Sequence, residues 1–315
     1  DIITGEPSNS PIKNYILELV QNDFELFTVI CEFLGQALYR KNNIIQKCLI
    51  IKGDKGNGKS KFLQVLTRFF GTENVSSLDL KQFEQRFGLF GLIGKIVNIG
   101  DDISGQYIGE SSNIKKVITS EMLPIEQKGK DLFNYKPYVT CIFSCNNMPR
   151  FDDKTGAVKD RLIFVPFSNT YSIEKGNLNP HIVKEMTSNE NMEALLVLAL
   201  QSLKELIKNN RFTYSYKSES CLDEFDKGNN PILYFIEEVQ ENSYLREKAF
   251  NNMPVAEAYE KYIKFCNENG FKSISKISFS KGIRANIENI EVKLVRNNGK
   301  VNKTFKMLEQ EATEK

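Results

Sequence analysis

"CLIIKGDKGNGKSKFLQVL", residues 48–66, runs from an apolar stretch through three closely spaced glycines into a segment of helical period. Gly53-Asp54-Lys55-Gly56-Asn57-Gly58-Lys59-Ser60 fits the pattern G-x-x-x-x-G-K-[ST]. Glycines let backbone N–H groups wrap a phosphate at a helix N-terminus, where the peptide dipoles favour negative charge. In that arrangement Lys59 reaches the β- and γ-phosphates of a nucleotide, and Ser60 is the ligand for Mg2+. A strand directly before the loop and a helix directly after it separate this reading from that of a glycine-rich turn without function.

At 315 residues the chain is long enough for two or three units, and 41% hydrophobic with 26% charged residues is ordinary for a globular protein. No apolar run reaches the roughly 18 residues of a membrane span, so no membrane is expected and the expected location is cytoplasmic. The chain opens on Asp1, and "DIITGEPSNSP" lacks the apolar centre of a signal peptide; a piece of a longer polypeptide is expected. Six scattered cysteines and one histidine read as buried thiols in a reducing cytosol rather than as a zinc site, and His181 as a surface residue. Net charge is only +2, yet Lys272 to Lys306 holds nine Lys/Arg against two Glu. That surplus is either a solvated face or a nucleic-acid surface.

Residues 11–40 carry apolar positions at three-to-four spacing and read as one or two amphipathic helices. "CLIIKG", "KIVNIGDD", "YVTCIFSCNN" and "RLIFVPF" read as buried strands of a mostly parallel sheet. The expected division is a helical segment at 1–47, an α/β core at 48–170, a helical lid at 171–228 and a final domain at 229–315. "DKGNNP", residues 226–231, reads as a linker. Beyond it come two helical patterns, then an alternating strand, an Asn-Gly turn and a second strand, the order of a winged helix.

Asp101-Asp102 closes "KIVNIGDD". A carboxylate at a strand tip beside a phosphate loop holds Mg2+, assigned to Asp101, and its neighbour Asp102 polarises the attacking water. Asn146, ending the third apolar strand, can hydrogen-bond the γ-phosphate or that water. Arg161, just before the fourth strand, is the candidate arginine finger, often acting on a neighbouring subunit, with Arg150 less favoured. No N-K-x-D tetrapeptide occurs, which argues against a GTPase. Phosphate loop, acidic pair, Asn-tipped strand and arginine, in that order, suit a compact motor ATPase.

The set "GDKGNGKS", "KIVNIGDDIS", "IEQKGKDLFNYKPYVTCIFSCNNMP" and "AVKDRLIFVPF" resembles superfamily 3 DNA helicases. The nearest likeness is to the C-terminal helicase half of phage and plasmid primase–helicases, related to the poxvirus primase–helicase. It covers residues 12–170 strongly and the tail more loosely. The resemblance implies an AAA+ P-loop core in a hexameric ring that hydrolyses ATP with Mg2+ and moves 3′ to 5′ on single-stranded DNA at a fork. It also implies a channel hairpin at "IEQKGKDLFNYKPY", with Lys128, or next Lys130, touching the DNA backbone; packing at the hairpin base is favoured over stacking for Phe133 and Tyr135. Relatives often carry paired arginines where this chain has Asp160-Arg161, and Glu where it has Asp102. The implied role is a replicative helicase module of a mobile genetic element, with a primase domain or other replication protein as associate. The alternative is an ATP-gated origin-binding initiator or loader.

Overall fold

The computed structural model describes residues 10–39, 44–103, 107–151, 156–241, 249–269, 271, 273–297 and 300–308. Ser10 caps α1 (Pro11–Leu19) by accepting the Lys13 N–H, with Pro11 at the first helical position, where its missing N–H costs nothing. Gln21 and Asn22 turn the chain in the left-handed backbone region. Asp23 then accepts the Leu26 N–H at 3.1 Å to start α2 (Phe24–Leu38). Residues 11–38 are therefore two helices.

The central sheet contains β1 (Cys48–Lys52), β2 (Val75–Ser76), β3 (Val97–Gly100), β7 (Thr140–Cys145) and β9 (Leu162–Pro166). Its order is β2-β3-β7-β1-β9 and every pairing is parallel. α3 (Lys59–Phe70) follows β1. Between β3 and β7 lie β4 (Tyr107–Ile108), α4 (Ser112–Ile118), β5 (Leu123–Ile125) and β6 (Phe133–Tyr135). β5 and β6 pair antiparallel as a hairpin, and β4 pairs in parallel with β8 (Arg150–Phe151). α5 (Ile182–Met186), α6 (Asn189–Asn209) and α7 (Tyr216–Asn229) follow β9.

Parallel strands are covered on both faces, and β1 shows it residue by residue. Leu49 and Ile51 join an apolar cluster with α1, α2, α3 and α6, while Cys48 and Ile50 join one with α4, the β5–β6 hairpin and α7. Successive side chains of a strand point to opposite faces, so one short run serves two cores. All six cysteines are free and buried, and burial pushes the Cys31, Cys141 and Cys145 thiols up to about 12. His181 is exposed. No described helix is long and apolar enough to cross a membrane.

The chain forms two compact units, residues 1–226 and 227–315. The N-terminal helices, the sheet and the helices expected as a lid all belong to the first. The boundary between the units falls at the linker expected at 226–231, where the backbone is helical on either side of Asn230. α7 runs through Asn229, and α8 (Pro231–Glu241) starts with Pro at its first position, with Asn230 Oδ1 accepting the Ile232 and Leu233 N–H groups. Residues that read as loop formers are here a helix end and a helix cap.

The second unit adds α9 (Val255–Glu268), α10 (Lys276–Asn286), β10 (Ile290–Asn297) and β11 (Lys300–Met307). β10 and β11 are antiparallel over their full length, from Ile290↔Met307 to Asn297↔Lys300. The Asn298-Gly299 turn, Gly270 and Lys272 lie outside the described residues. Phe235 at the centre of this unit meets the rings of Phe250, Tyr262, Phe265 and Phe279.

Gly35 marks a close contact of α2 with α6. A Cβ there would stand 2.3 Å from the Ala199 carbonyl oxygen and 2.8 Å from Leu203 Cβ. Alanine is a better helix former than glycine by about 1 kcal/mol, but overpacking against backbone costs about 1–3 kcal/mol. Gly35→Ala is expected to lower the thermal unfolding midpoint; a rise would mean that α2 and α6 can separate cheaply.

Candidate functional site

β7 pairs with β1 on one side and with β3 on the other, so three chain segments leave one edge of the sheet together. They are the phosphate loop after β1, Asn146 after β7 and Asp101-Asp102 after β3. The loop is tied down by its backbone: the Gly53 N–H donates to the Cys145 carbonyl at 3.1 Å, and the Tyr171 N–H to the Gly56 carbonyl at 2.9 Å. Gly56 and Gly58 hold φ near +86° and +84°, a region that glycine enters without strain. Gly58 caps α3 without a side-chain bond, leaving that helix start open to an anion.

Lys59 is buried, with three acceptors around its ammonium: the carbonyls of Gly53 at 2.6 Å and Asp54 at 2.8 Å, and Asn146 Oδ1 at 2.7 Å. Burial pulls its pKa below the usual value, opposed by neighbouring groups that include the carboxylates of Asp102, Asp101 and Asp54. Asn146 Nδ2 donates to Asp102 Oδ1 at 3.2 Å, so one amide joins the lysine to the second acid. Ser144 Oγ donates to Asp101 Oδ1 at 2.5 Å and accepts the Asp102 N–H at 3.0 Å.

A cavity of about 810 Å³ covers this edge, in the range of small-molecule sites. Lys55, Gly56, Asn57, Gly58, Lys59, Ser60, Asp101, Asp102 and Asn146 all line it. Gly53 and Asp54 contribute as acceptors for Lys59. The opposite wall comes from α1 and the segment after β9, through Tyr15, Leu19, Tyr171, Leu178 and Pro180. Sequence reasoning missed that wall, because Tyr15 and Leu19 look like core positions of an amphipathic helix. It also missed Ser144, a serine in an apolar run that carries no motif.

Among the described residues no cluster of three or more His, Cys, Asp or Glu could hold a metal. Ser60 and Asp101 nevertheless line one cavity and offer a hydroxyl and a carboxylate, hard oxygens of the kind Mg2+ takes alongside substrate phosphates and water. The residues fit a nucleotide-bound Mg2+ and not a metal caged by protein alone. Asn57 differs from its neighbours: its side chain turns inward and donates to the Phe167 carbonyl at 2.7 Å, so it anchors the loop rather than facing a phosphate.

Two sets of expected residues lie elsewhere. Leu162 pairs with Cys48, so Arg161 stands at the opposite edge of the sheet, about 16 Å from the loop for five residues at ~3.3 Å each. There its guanidinium donates to the Ala157 carbonyl at 2.6 Å. Lys128 and Lys130 are exposed at the tip of the β5–β6 hairpin. The Lys130 N–H donates to the Gln127 carbonyl at 2.9 Å, and Gly129 takes φ near +78°, as a type II turn requires. Arg86 grips Glu126 with two hydrogen bonds, and Tyr135 accepts the Gly94 N–H, bracing the hairpin at both shoulders. Tyr135 is thus a base residue, whereas Phe133 is 41% exposed.

Residues 51–161 match DUF5906, described as a family of unknown function, and residues 227–315 match the Poxvirus D5 protein-like family. Neither match reaches half of the chain. No curated protein matches it. Among solved structures, "The A form apo structure of NrS-1 C terminal region-CTR" superposes with a TM-score of 0.59 at 18% identity, covering 97% of this chain and 78% of that one. "The apo structure of NrS-1 C terminal region (305-718)" gives 0.58 at 17% identity, with the same coverage. At this identity the likeness is one of fold: a mixed α/β chain with a parallel central sheet suited to a nucleotide.

Removing the Asn57 anchor strands the buried Phe167 carbonyl, a loss of about 1–3 kcal/mol. Asn57→Ala is expected to lower the unfolding midpoint of the nucleotide-free protein, read by calorimetry. An unchanged midpoint would mean that the loop holds its shape without it.

Proposed function

We propose that this chain is an ATP-driven DNA motor, a superfamily 3 (AAA+) helicase module serving the replication of a mobile genetic element. One observation carries the reading. A hydrogen-bonded chain runs from the phosphate loop through Lys59 and Asn146 to Asp102 across three adjacent strands, while Arg161 stands where its own site cannot use it. That division is what a site shared between subunits of a ring, six by the resemblance, requires. The family match of residues 227–315 and the fold shared with the NrS-1 C-terminal region support a role in replication.

In this reading Lys59 exchanges its carbonyl acceptors for the β- and γ-phosphate oxygens. Mg2+, held by Ser60 and Asp101 with phosphate oxygens and water, supplies neutralisation of the phosphate charge. Asp102 orients the attacking water and accepts its proton. Asn146, bonded to both Lys59 and Asp102, registers whether the γ-phosphate is present. Arg161 of one subunit stabilises charge in the site of the next. Lys128, with Lys130 beside it, contacts DNA phosphates, a sequence-blind contact that can be made and broken at each step.

The second unit fits a winged helix: among its described residues are three helices, a basic hairpin and a bridge from Pro254 to Thr304. A groove of about 790 Å³ on it is lined by Lys276, Lys281, Arg284 and Lys303 together with Glu257 and Glu260, a basic surplus of two. That groove favours a second reading, an ATP-gated initiator that recognises an origin. Footprinting on the element's own origin separates the two, because a motor alone protects no defined sequence.

The deciding measurement is ATP turnover with and without single-stranded DNA, together with strand separation on a tailed duplex. Wild type is expected to be stimulated by DNA and to separate strands. Lys59→Ala is expected to lose turnover by about 10²-fold or more, the scale of removing one preorganised charge-stabilising group. Lys128→Ala is expected to lose DNA stimulation and strand separation. Turnover indifferent to DNA, with no strand separation by any oligomer, overturns the motor. Stimulation that survives Lys128→Ala overturns the hairpin's role.

A further inference from the structure

We infer that Ser144 is a positioning residue, whose buried hydroxyl sets the Asp101–Asp102 pair in the geometry that binds a divalent cation with the nucleotide. The inference rests on the reading of this cavity as a nucleotide–metal site. Ser144 is the penultimate residue of β7 and is fully buried. A hydroxyl in such a place is costly unless it is bonded, and this one uses both of its capacities on the acidic pair. It gives its proton to Asp101 Oδ1 at 2.5 Å and accepts the Asp102 N–H at 3.0 Å.

The need for such a residue lies in how β3 ends. Its pairing with β7 stops at Gly100↔Phe143, one residue before the acids begin. Asp102 then takes φ near +49°, a left-handed conformation uncommon for a residue with a side chain. Among the described residues no ladder hydrogen bond holds Asp101 or Asp102; Ser144 holds the turn through its hydroxyl on the pair and its carbonyl, which accepts the Ile103 N–H at 2.8 Å, with Asn146 adding a bond to the Asp102 carboxylate.

Division of labour follows from the contacts. Asn146 serves the side chain of Asp102 and communicates with Lys59, whereas Ser144 serves the carboxylate of Asp101 and the backbone of Asp102. The Ser144 bond occupies one carboxylate oxygen of Asp101. No other described residue bonds that carboxylate, so its second oxygen remains for the cation. A hydrogen bond to an ionised acceptor is short and strong, and here it selects one rotamer of the ligand.

The test uses the whole chain, Mn2+ as a spectroscopically visible divalent probe, and a fluorescent non-hydrolysable ATP analogue. Three quantities are read: analogue affinity in chelator, Mn2+ affinity at saturating analogue, and the unfolding midpoint. Ser144→Ala and the nearly isosteric Ser144→Cys are expected to weaken Mn2+ by about 10-fold or more, the usual cost of losing a partner behind a metal ligand. Metal-free analogue binding is expected to stay unchanged, and Ser144→Thr, which keeps the hydroxyl, to restore Mn2+. Wild-type Mn2+ affinity in both the Ala and Cys variants overturns the proposal. So does an equal loss of metal-free analogue binding, which is the signature of a merely structural residue. Asp101→Asn separates the two levels: if it also holds Mn2+ as wild type does, the nucleotide–metal reading itself falls, and the proposal falls with it.

Discussion

The position of β7 between β1 and β3 is the constraint on which the rest of the site depends. β1 carries the phosphate loop and β3 carries the acids, and in this strand order they are not neighbours. Two strand spacings separate them, roughly 9–10 Å, more than any single hydrogen bond can span. β7 fills that interval and contributes side chains at its end, so Asn146 bridges Lys59 to Asp102 and Ser144 braces the acids from behind. All six residues of β7 are buried, so its register is held by packing on both faces, and the bridge inherits that rigidity.

Much of this was legible in the sequence, for reasons that differ by residue. The glycine loop was readable because the left-handed turns at Gly56 and Gly58 require the residue type that reveals them. β1, β3, β7 and β9 were readable because a strand buried on both faces is a short continuous apolar run. β2, only two residues long, leaves no pattern to find. The unit boundary beside Asp226 was readable because Gly228, Asn229, Asn230 and Pro231 punctuate the chain, whereas only the fold shows that they end one helix and cap the next. Ser144 stayed silent because a buried serine announces nothing until its partners are known. Arg161 was readable as a basic residue before a strand, whereas its distance from the loop follows from the pairing of Leu162 with Cys48.

α7 shows how little surface charge contributes beside packing. Glu224 meets Lys52 at 2.6 Å and Asp226 meets Lys159 at 2.7 Å, both at least partly exposed. Pairs of that kind are worth about 0–1 kcal/mol each. Cys221 and Phe225, buried in one cluster with Phe151 and Phe164, hold the helix down. The second unit follows the same rule, with a core rich in aromatic rings and surface pairs such as Lys261–Glu257 and Lys264–Glu268.

The three acceptors around Lys59 have a thermodynamic consequence. On the proposed reading, an ammonium already satisfied by two carbonyls and an amide would gain no new hydrogen bonds from a phosphate; it would trade old ones for new. Binding is then an exchange reaction, whose yield is a difference between two good states rather than the sum of fresh contacts. The same three bonds hold the loop, because a buried cation without partners would drive the loop to open or the lysine to lose its proton. Two backbone carbonyls and one amide oxygen thus surround this cation with the kind of acceptor that a phosphate group would offer it.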